Sequence, residues 1–189
     1  MENLKREKVR KALRLLVPAA LLSVFLYIIL HEFGHVIVLW SVDADVTDFS
    51  IASAHVSYGG GNWTDVSDRW MHLNGMLFPL ILAVLYMLLY RREIKNSFYR
   101  IFSGFVTLVS FGSLMAWIII PFLYMSGQAP EGEDVTKFLY NFTHDYPAYL
   151  VSIVALLVMI ICIAIAVRKG IPQNFEKEIR TIRNASQEN

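Results

Sequence analysis

Apolar residues in this chain come in long unbroken runs, not in the short alternations of a soluble domain. Residues 15–30, 73–90, 101–125 and 146–167 carry no charged side chain. A helix needs about 20 predominantly apolar residues to cross the hydrocarbon core of a bilayer. The pattern predicts four transmembrane helices, at about 15–40, 70–90, 99–125 and 147–167. The expected fold class is an all-α membrane protein, a four-helix bundle. Between the first two spans, Val46–Ser53 and His55–Tyr58 show strand-like alternation and β-branched residues, and Gly59, Gly60, Gly61 and Asn62 break the pattern. A short β-ribbon is therefore expected after the first helix. The connection before the fourth span opens with Gly127, Pro130 and Gly132, and a short helix is expected from Asp134 to Phe142.

The ends divide from this core. Residues 1–14 form a basic arm, read as a surface-lying extension of the first helix with Leu4, Val9 and Leu13 toward lipid. Residues 15–167 form a single membrane domain, and 168–189 a polar tail expected to be in part disordered beyond Pro172. The first apolar run has the basic start of a signal peptide. It is longer than one and lacks a small-x-small site before His31, so it reads as an uncleaved span. Cys162 stands alone in the fourth span and reads as a packing residue. Tyr27, Trp117, Phe122 and Tyr124 are expected to face lipid or the interface.

The net charge of +1 says little, but its distribution says more. Of the 17 Lys and Arg residues, all but Arg69 and Lys137 lie in the N-terminal arm, in the 91–100 connection or after residue 167. Positive residues are retained on the cytoplasmic side. This predicts a multi-pass protein, of the cell membrane, with both termini cytoplasmic and with the 41–69 and 126–146 loops outside. The basic arms are short and flank apolar spans, which argues against a nucleic-acid partner. The expected partners are the lipid bilayer and a membrane-protein or peptide substrate.

The candidate chemistry is concentrated in HEFGH, residues 31–35. On a helix His31 and His35 project from one face, one turn apart. Two imidazoles so spaced can share one Zn²⁺, and the adjacent Glu32 can act as general base toward a water activated by the metal. Ionisable residues inside an apolar helix are costly and seldom lack a role. A catalytic zinc site takes three protein ligands. Asp134 is the best third candidate, because Val135, Phe138 and Leu139 after it would pack inward and aim its carboxylate at the bundle. Glu131, Glu133, His144 and Asp145 compete with it. Asn74, at the start of the second span, has two readings: a donor to the oxyanion of a tetrahedral intermediate, or an interhelical hydrogen bond with Gly75 allowing close packing. His72 reads as an interfacial residue more than as a partner to the site, and His55 as a surface residue of the ribbon.

HEFGH in an apolar first span, followed by a β-like segment and the Asn74-Gly75-x-x-x-Pro79 helix, resembles the site-2 protease family of intramembrane zinc metalloproteases. The resemblance implies one Zn²⁺ per chain, hydrolysis of peptide bonds in membrane-embedded substrates, and an Asp as third ligand. The family's Leu-Asp-Gly pattern for that Asp is missing here. Many members open toward the cytosol, whereas His35 lies only about 7–8 Å below Trp40 at the expected outer end. The ribbon at 46–58 is a candidate edge on which a substrate could be held extended. Two other readings compete: a non-catalytic binding protein with a structural metal or polar cluster, and a metal transporter. The transporter needs ionisable relays on several spans, and only the first carries a cluster.

Overall fold

The computed structural model of the chain describes residues 2–140 and 146–187, with side chains over 14–140 and 147–184. Its elements in order are α1 (Glu2–Ser41), β1 (Ala44–Ser50), β2 (His55–Gly60), α2 (Asp65–Leu89), α3 (Ser97–Met125), α4 (Asp134–Tyr140), α5 (Tyr146–Lys169) and α6 (Ile171–Gln187). Four stretches are long and apolar enough to span a bilayer: Arg14–Ser41, Asp65–Leu89, Ser97–Met125 and Pro147–Lys169. The protein is an all-α, four-helix membrane protein with one small ribbon. Apolar side chains that would be a liability in water line its outside. Ile153, Leu157, Ile160 and Ile161 of α5 are all more than half exposed, as a lipid-facing surface requires.

Lipid tails are as apolar as leucine, so close packing and interhelical hydrogen bonds hold such helices together. Both operate where α1 crosses α2. A Cβ on Gly34 would overlap the Asn74 carbonyl, and one on Gly75 would come within 2.6 Å of the His35 ring. The Asn74 Nδ2 donates to the Gly34 carbonyl at 2.6 Å, across the same crossing. Deeper in the bundle Tyr27 donates to Ser113 Oγ at 2.6 Å, and Ser152 to the Ile118 carbonyl at 2.9 Å. The main core joins Leu114 and Trp117 of α3 to Met76 and Leu80 of α2, Val135 and Leu139 of α4 and Ala155 of α5. Trp117 is buried there, edge-on to Phe138 at 5.3 Å. This corrects its expected lipid-facing place, as does Tyr27's bond to α3. Phe122 is half exposed as expected, while the Tyr124 hydroxyl reaches the Leu139 carbonyl at 3.4 Å.

The ribbon forms as expected, with shifted ends. β1 and β2 pair antiparallel, from Ala44 opposite Gly60 to Ser50 opposite His55, with an irregularity between Val46 and Asp48. Residues 51–54 make the turn, where Ala54 has φ +47. The glycines do not end the pairing where the sequence pattern broke. Gly59 and Gly60 lie in the strand, and the chain turns at Gly61, whose φ is +94 and whose Cβ would meet Ala44 Cβ at 2.9 Å. Only glycine suits both conditions. The hydroxyls of Thr64 and Ser67 cap the start of α2, extending it upstream of the expected span.

The tail corrects the sequence reading: residues 173–187 are helical in α6. Pro172 falls in the first turn, where its missing N–H has no intrahelical partner in any case. Ile171, Phe175, Ile179 and Ile182 then fall on one helical stripe, and a polar average hid that stripe. Phe175 lies against Gly104 and Phe105, and Arg100 pairs with Glu178 at 2.9 Å with both side chains largely buried. Asn174 Nδ2 donates to the Tyr90 hydroxyl and the Arg92 carbonyl at 2.9 and 3.1 Å. α6 thereby ties the α2–α3 connection to the end of α5, at the basic end of the bundle. The N-terminal arm continues α1 as one helix from Glu2, and the expected lipid contacts of Leu4, Val9 and Leu13 lie outside the described side chains. The short helix ends at Tyr140, and the rest of the expected segment to Phe142 lies outside the described residues.

The crossing makes a test of the packing. Gly34→Leu is expected to destabilise the bundle by about 1–3 kcal/mol, the usual cost of overpacking, read as a lowered Tm in detergent. Gly112→Ala, where a Cβ meets nothing within 4 Å, is expected to leave Tm unchanged or raise it slightly. Equal losses in both variants would show that the crossing is not the tight point.

Candidate metal centre

The close approach of α1 and α2 places His31 and His35 beside the start of α4, at the ribbon end of the bundle. His31 and His35 lie one turn apart on α1, with rings edge to face and centroids 4.8 Å apart. Val135 and Leu139 are buried in the main core, and this anchors α4 so that the carboxylate of Asp134 turns inward. Asp134 Oδ2 lies 3.2 Å from His31 Nε2 and 3.3 Å from His35 Nε2, and the two nitrogens are 3.2 Å apart. The three atoms form a nearly equilateral triangle. These three residues can together hold a metal ion.

Local bonds orient each donor. His35 Nδ1 lies 2.8 Å from the Met71 carbonyl. A carbonyl can only accept, so Nδ1 carries the proton, and in the neutral ring Nε2 turns a lone pair to the triangle. His72 Nδ1 lies 3.3 Å from Asp134 Oδ1 and donates to it, holding the oxygen that does not face the histidines. The other nitrogen of His72 is 3.9 Å from Asp68. Burial alone would push the Asp134 carboxyl up, but hydrogen bonds from His31, His35 and His72 outweigh it and hold the group well below the usual carboxylate range. Asp134 is thus an anion, and in the neutral rings the two Nε2 atoms beside it can serve as metal donors in place of proton donors. A tetrahedral ion with ligands at about 2.0 Å needs donor atoms roughly 3.3 Å apart, and the triangle has that edge. Nitrogen, nitrogen and carboxylate oxygen also suit a divalent transition metal. His31 Nδ1 is buried with no hydrogen-bond partner among the described residues. It is free to carry the proton that leaves Nε2 as the ligand.

Glu32 is 3% exposed. It lines the same cavity of about 720 Å³ as the three donors, together with Tyr27, His72 and residues of β2. That volume is within the range of small-molecule and peptide sites. His55, Val56 and Tyr58 put β2 on the cavity wall, and His55 is exposed, bonded to Ser57 Oγ at 2.7 Å.

The structure therefore brings together His31, Glu32, His35 and Asp134. Glu131 and Glu133 are exposed, and only Glu133 reaches the cavity rim. His144 and Asp145 lie outside the described residues. Asn74 is not on the cavity wall, because its amide is committed to Gly34, which is the interhelical of its two readings. His72 is a partner of the site and not an interfacial residue. An imidazole three residues before the Gly75 that admits the histidine rings was the available signal. Tyr27 was missed as a site residue. It lies one turn before His31, with ring centroids 5.9 Å apart, and that spacing could have found it.

Comparison with protein-family models, with curated proteins and with solved structures finds no match to this chain. The likeness to site-2 proteases rests on the residues themselves.

Metal content of purified protein, prepared without chelator, tests the centre. About one ion per chain is expected for the wild type, and loss of it for His31→Ala, His35→Ala and Asp134→Ala. His72→Ala should weaken binding by about 10–100-fold, the usual effect of removing a group that orients a ligand. Glu131→Ala and Glu133→Ala should bind as the wild type does. Full metal in Asp134→Ala would remove that residue from the centre.

Proposed function

We propose that the protein is an intramembrane zinc metalloprotease of the site-2 type, hydrolysing peptide bonds of membrane-embedded or membrane-proximal substrates. The observation that carries this reading is the triangle of His31 Nε2, His35 Nε2 and Asp134 Oδ2, with edges of 3.2–3.3 Å, beside the buried Glu32. Zn²⁺ is an ion that two imidazoles and one carboxylate can hold with a position left open for catalysis. When bound, it supplies Lewis acidity and makes water acidic enough to be a nucleophile near neutral pH.

The chain's own residues do the rest. Glu32 is the general base: its carboxylate accepts a proton from the attacking water and delivers it to the departing amide nitrogen. His72 holds Asp134 in its ligating orientation, and Met71 does the same for His35 through its carbonyl. Peptide bonds in a transmembrane helix are sheltered, so a substrate has to be unwound and held extended. Among the described residues β2 pairs with β1 on one side only, which leaves its other edge for a further strand, while Val56 and Tyr58 bring it to the cavity wall. Both termini and the α2–α3 turn are cytoplasmic in this reading, because basic residues gather there. The site then opens in the outer half of the cell membrane.

Glu32→Gln is the decisive variant. It keeps the shape and the three metal donors but cannot take a proton. Zinc content is expected to be unchanged, and cleavage of membrane-protein peptides in detergent to fall by about 10²–10⁴-fold. Cleavage that survives in Glu32→Gln would remove the assigned role. Zinc bound tightly in a wild type that cleaves nothing would make the ion a structural one.

A further inference from the structure

A second cavity, of about 210 Å³, lies between α1, α2 and α3. Tyr27 lines both cavities, which adjoin at this residue. The rest of the lining includes Leu26 and Leu30 of α1, Leu82 and Ala83 of α2, and Phe102 and Val109 of α3. Four hydroxyls also border the space, and each is already engaged. Ser23 donates to the Ala19 carbonyl at 2.8 Å, Ser110 to the Val106 carbonyl at 2.9 Å, Tyr27 to Ser113 at 2.6 Å, and Tyr86 bonds with Ser103 at 2.7 Å. The interior offers a ligand almost nothing but carbon. An apolar cavity of about 150 Å³ stays dry and admits benzene, so this one has room for a single large side chain. Along α1 its centre is four to five residues from His31, roughly 7 Å by helix rise, within reach of a group attached to a peptide held at the metal.

We propose that this cavity is a specificity pocket that receives one large apolar side chain of the substrate, a leucine, methionine or phenylalanine, with Tyr27 as its rim. The assignment rests on the protease reading, and it adds what that reading lacks, a rule for which sequences are cut. A bare apolar pocket discriminates between substrates by about 10–200-fold for a missing methylene, so the preference is graded and not absolute.

The test uses alkyl hydroxamates, which bind zinc through the head group and differ only in tail length. Acetohydroxamate and octanohydroxamate are titrated calorimetrically into zinc-loaded full-length protein in detergent, for the wild type, Val109→Phe and Leu82→Ala. Val109→Phe fills the cavity from α3, and Leu82→Ala enlarges it from α2. Neither residue touches the metal donors, and the zinc content and Tm of each variant are measured first. The octanoyl compound is expected to bind the wild type about 10–100-fold more tightly than the acetyl one. That gain should disappear in Val109→Phe and persist in Leu82→Ala, with acetohydroxamate binding all three alike. Equal gains in the wild type and Val109→Phe would mean that the tail partitions into detergent, and would overturn the pocket while leaving the zinc centre intact. A bilayer lipid that co-purifies with the wild type and is lost from Val109→Phe would assign the space to an acyl chain, which also overturns the proposal. Absence of zinc and of any hydroxamate binding would overturn the protease reading, and the pocket with it.

Discussion

Two imidazole nitrogens and a carboxylate oxygen within 3.3 Å of one another, at the end of an apolar bundle, form an arrangement that can hold a cation. Lone pairs repel, and burying an anion in such surroundings is costly unless it is paired. The rest of the molecule can be understood as what it takes to maintain this convergence. Gly34 and Gly75 let α1 and α2 cross closely enough for the histidine rings to sit over α2. The Asn74–Gly34 hydrogen bond fixes that crossing. The buried Val135 and Leu139 fix α4, and the backbone carbonyl of Met71 and the ring of His72 fix the orientation of two of the three ligands. Removing any of these supports leaves the donors present but free to turn away from one another.

The parts of this arrangement that follow a period were legible in the sequence. Long uncharged runs gave the four spans, because helix length and bilayer thickness are matched by a fixed rise per residue. The i, i+4 spacing of His31 and His35 gave the metal-facing pair for the same reason. Asp134 was legible as a candidate only because apolar residues follow it, and nothing local separated it from Glu131 or Glu133. The tertiary packing of α4 made that choice. Asn74 was ambiguous, since an amide facing a bundle interior serves an oxyanion or a neighbouring carbonyl equally well until the partner's position is known. The tail misled because averaging its polarity hid the stripe of Ile171, Phe175, Ile179 and Ile182, of which Phe175 packs on α3 and Ile171 is fully buried. Trp117 misled in the opposite sense: an aromatic in an apolar helix can face lipid or the core with no change in local pattern.

The two ends of the bundle have separate tasks. At the basic end, α6, the α2–α3 turn and the Arg100–Glu178 pair brace the helices against one another. At the other, a two-stranded ribbon and a seven-residue helix cover a polar cavity that would be unstable in lipid if left open. Tyr27 lines both that space and the apolar one. A single helix therefore carries two of the three candidate metal donors and, in the turns before them, part of the lining of the apolar space.

X-ray absorption at the zinc edge of the purified protein tests the central claim most directly. The account predicts one zinc with only nitrogen and oxygen neighbours, at about 2.0–2.1 Å, two of them with the outer-shell scattering of imidazole. A spectrum with sulfur at about 2.3 Å, with no imidazole scattering, or with no zinc in protein prepared without chelator would contradict it.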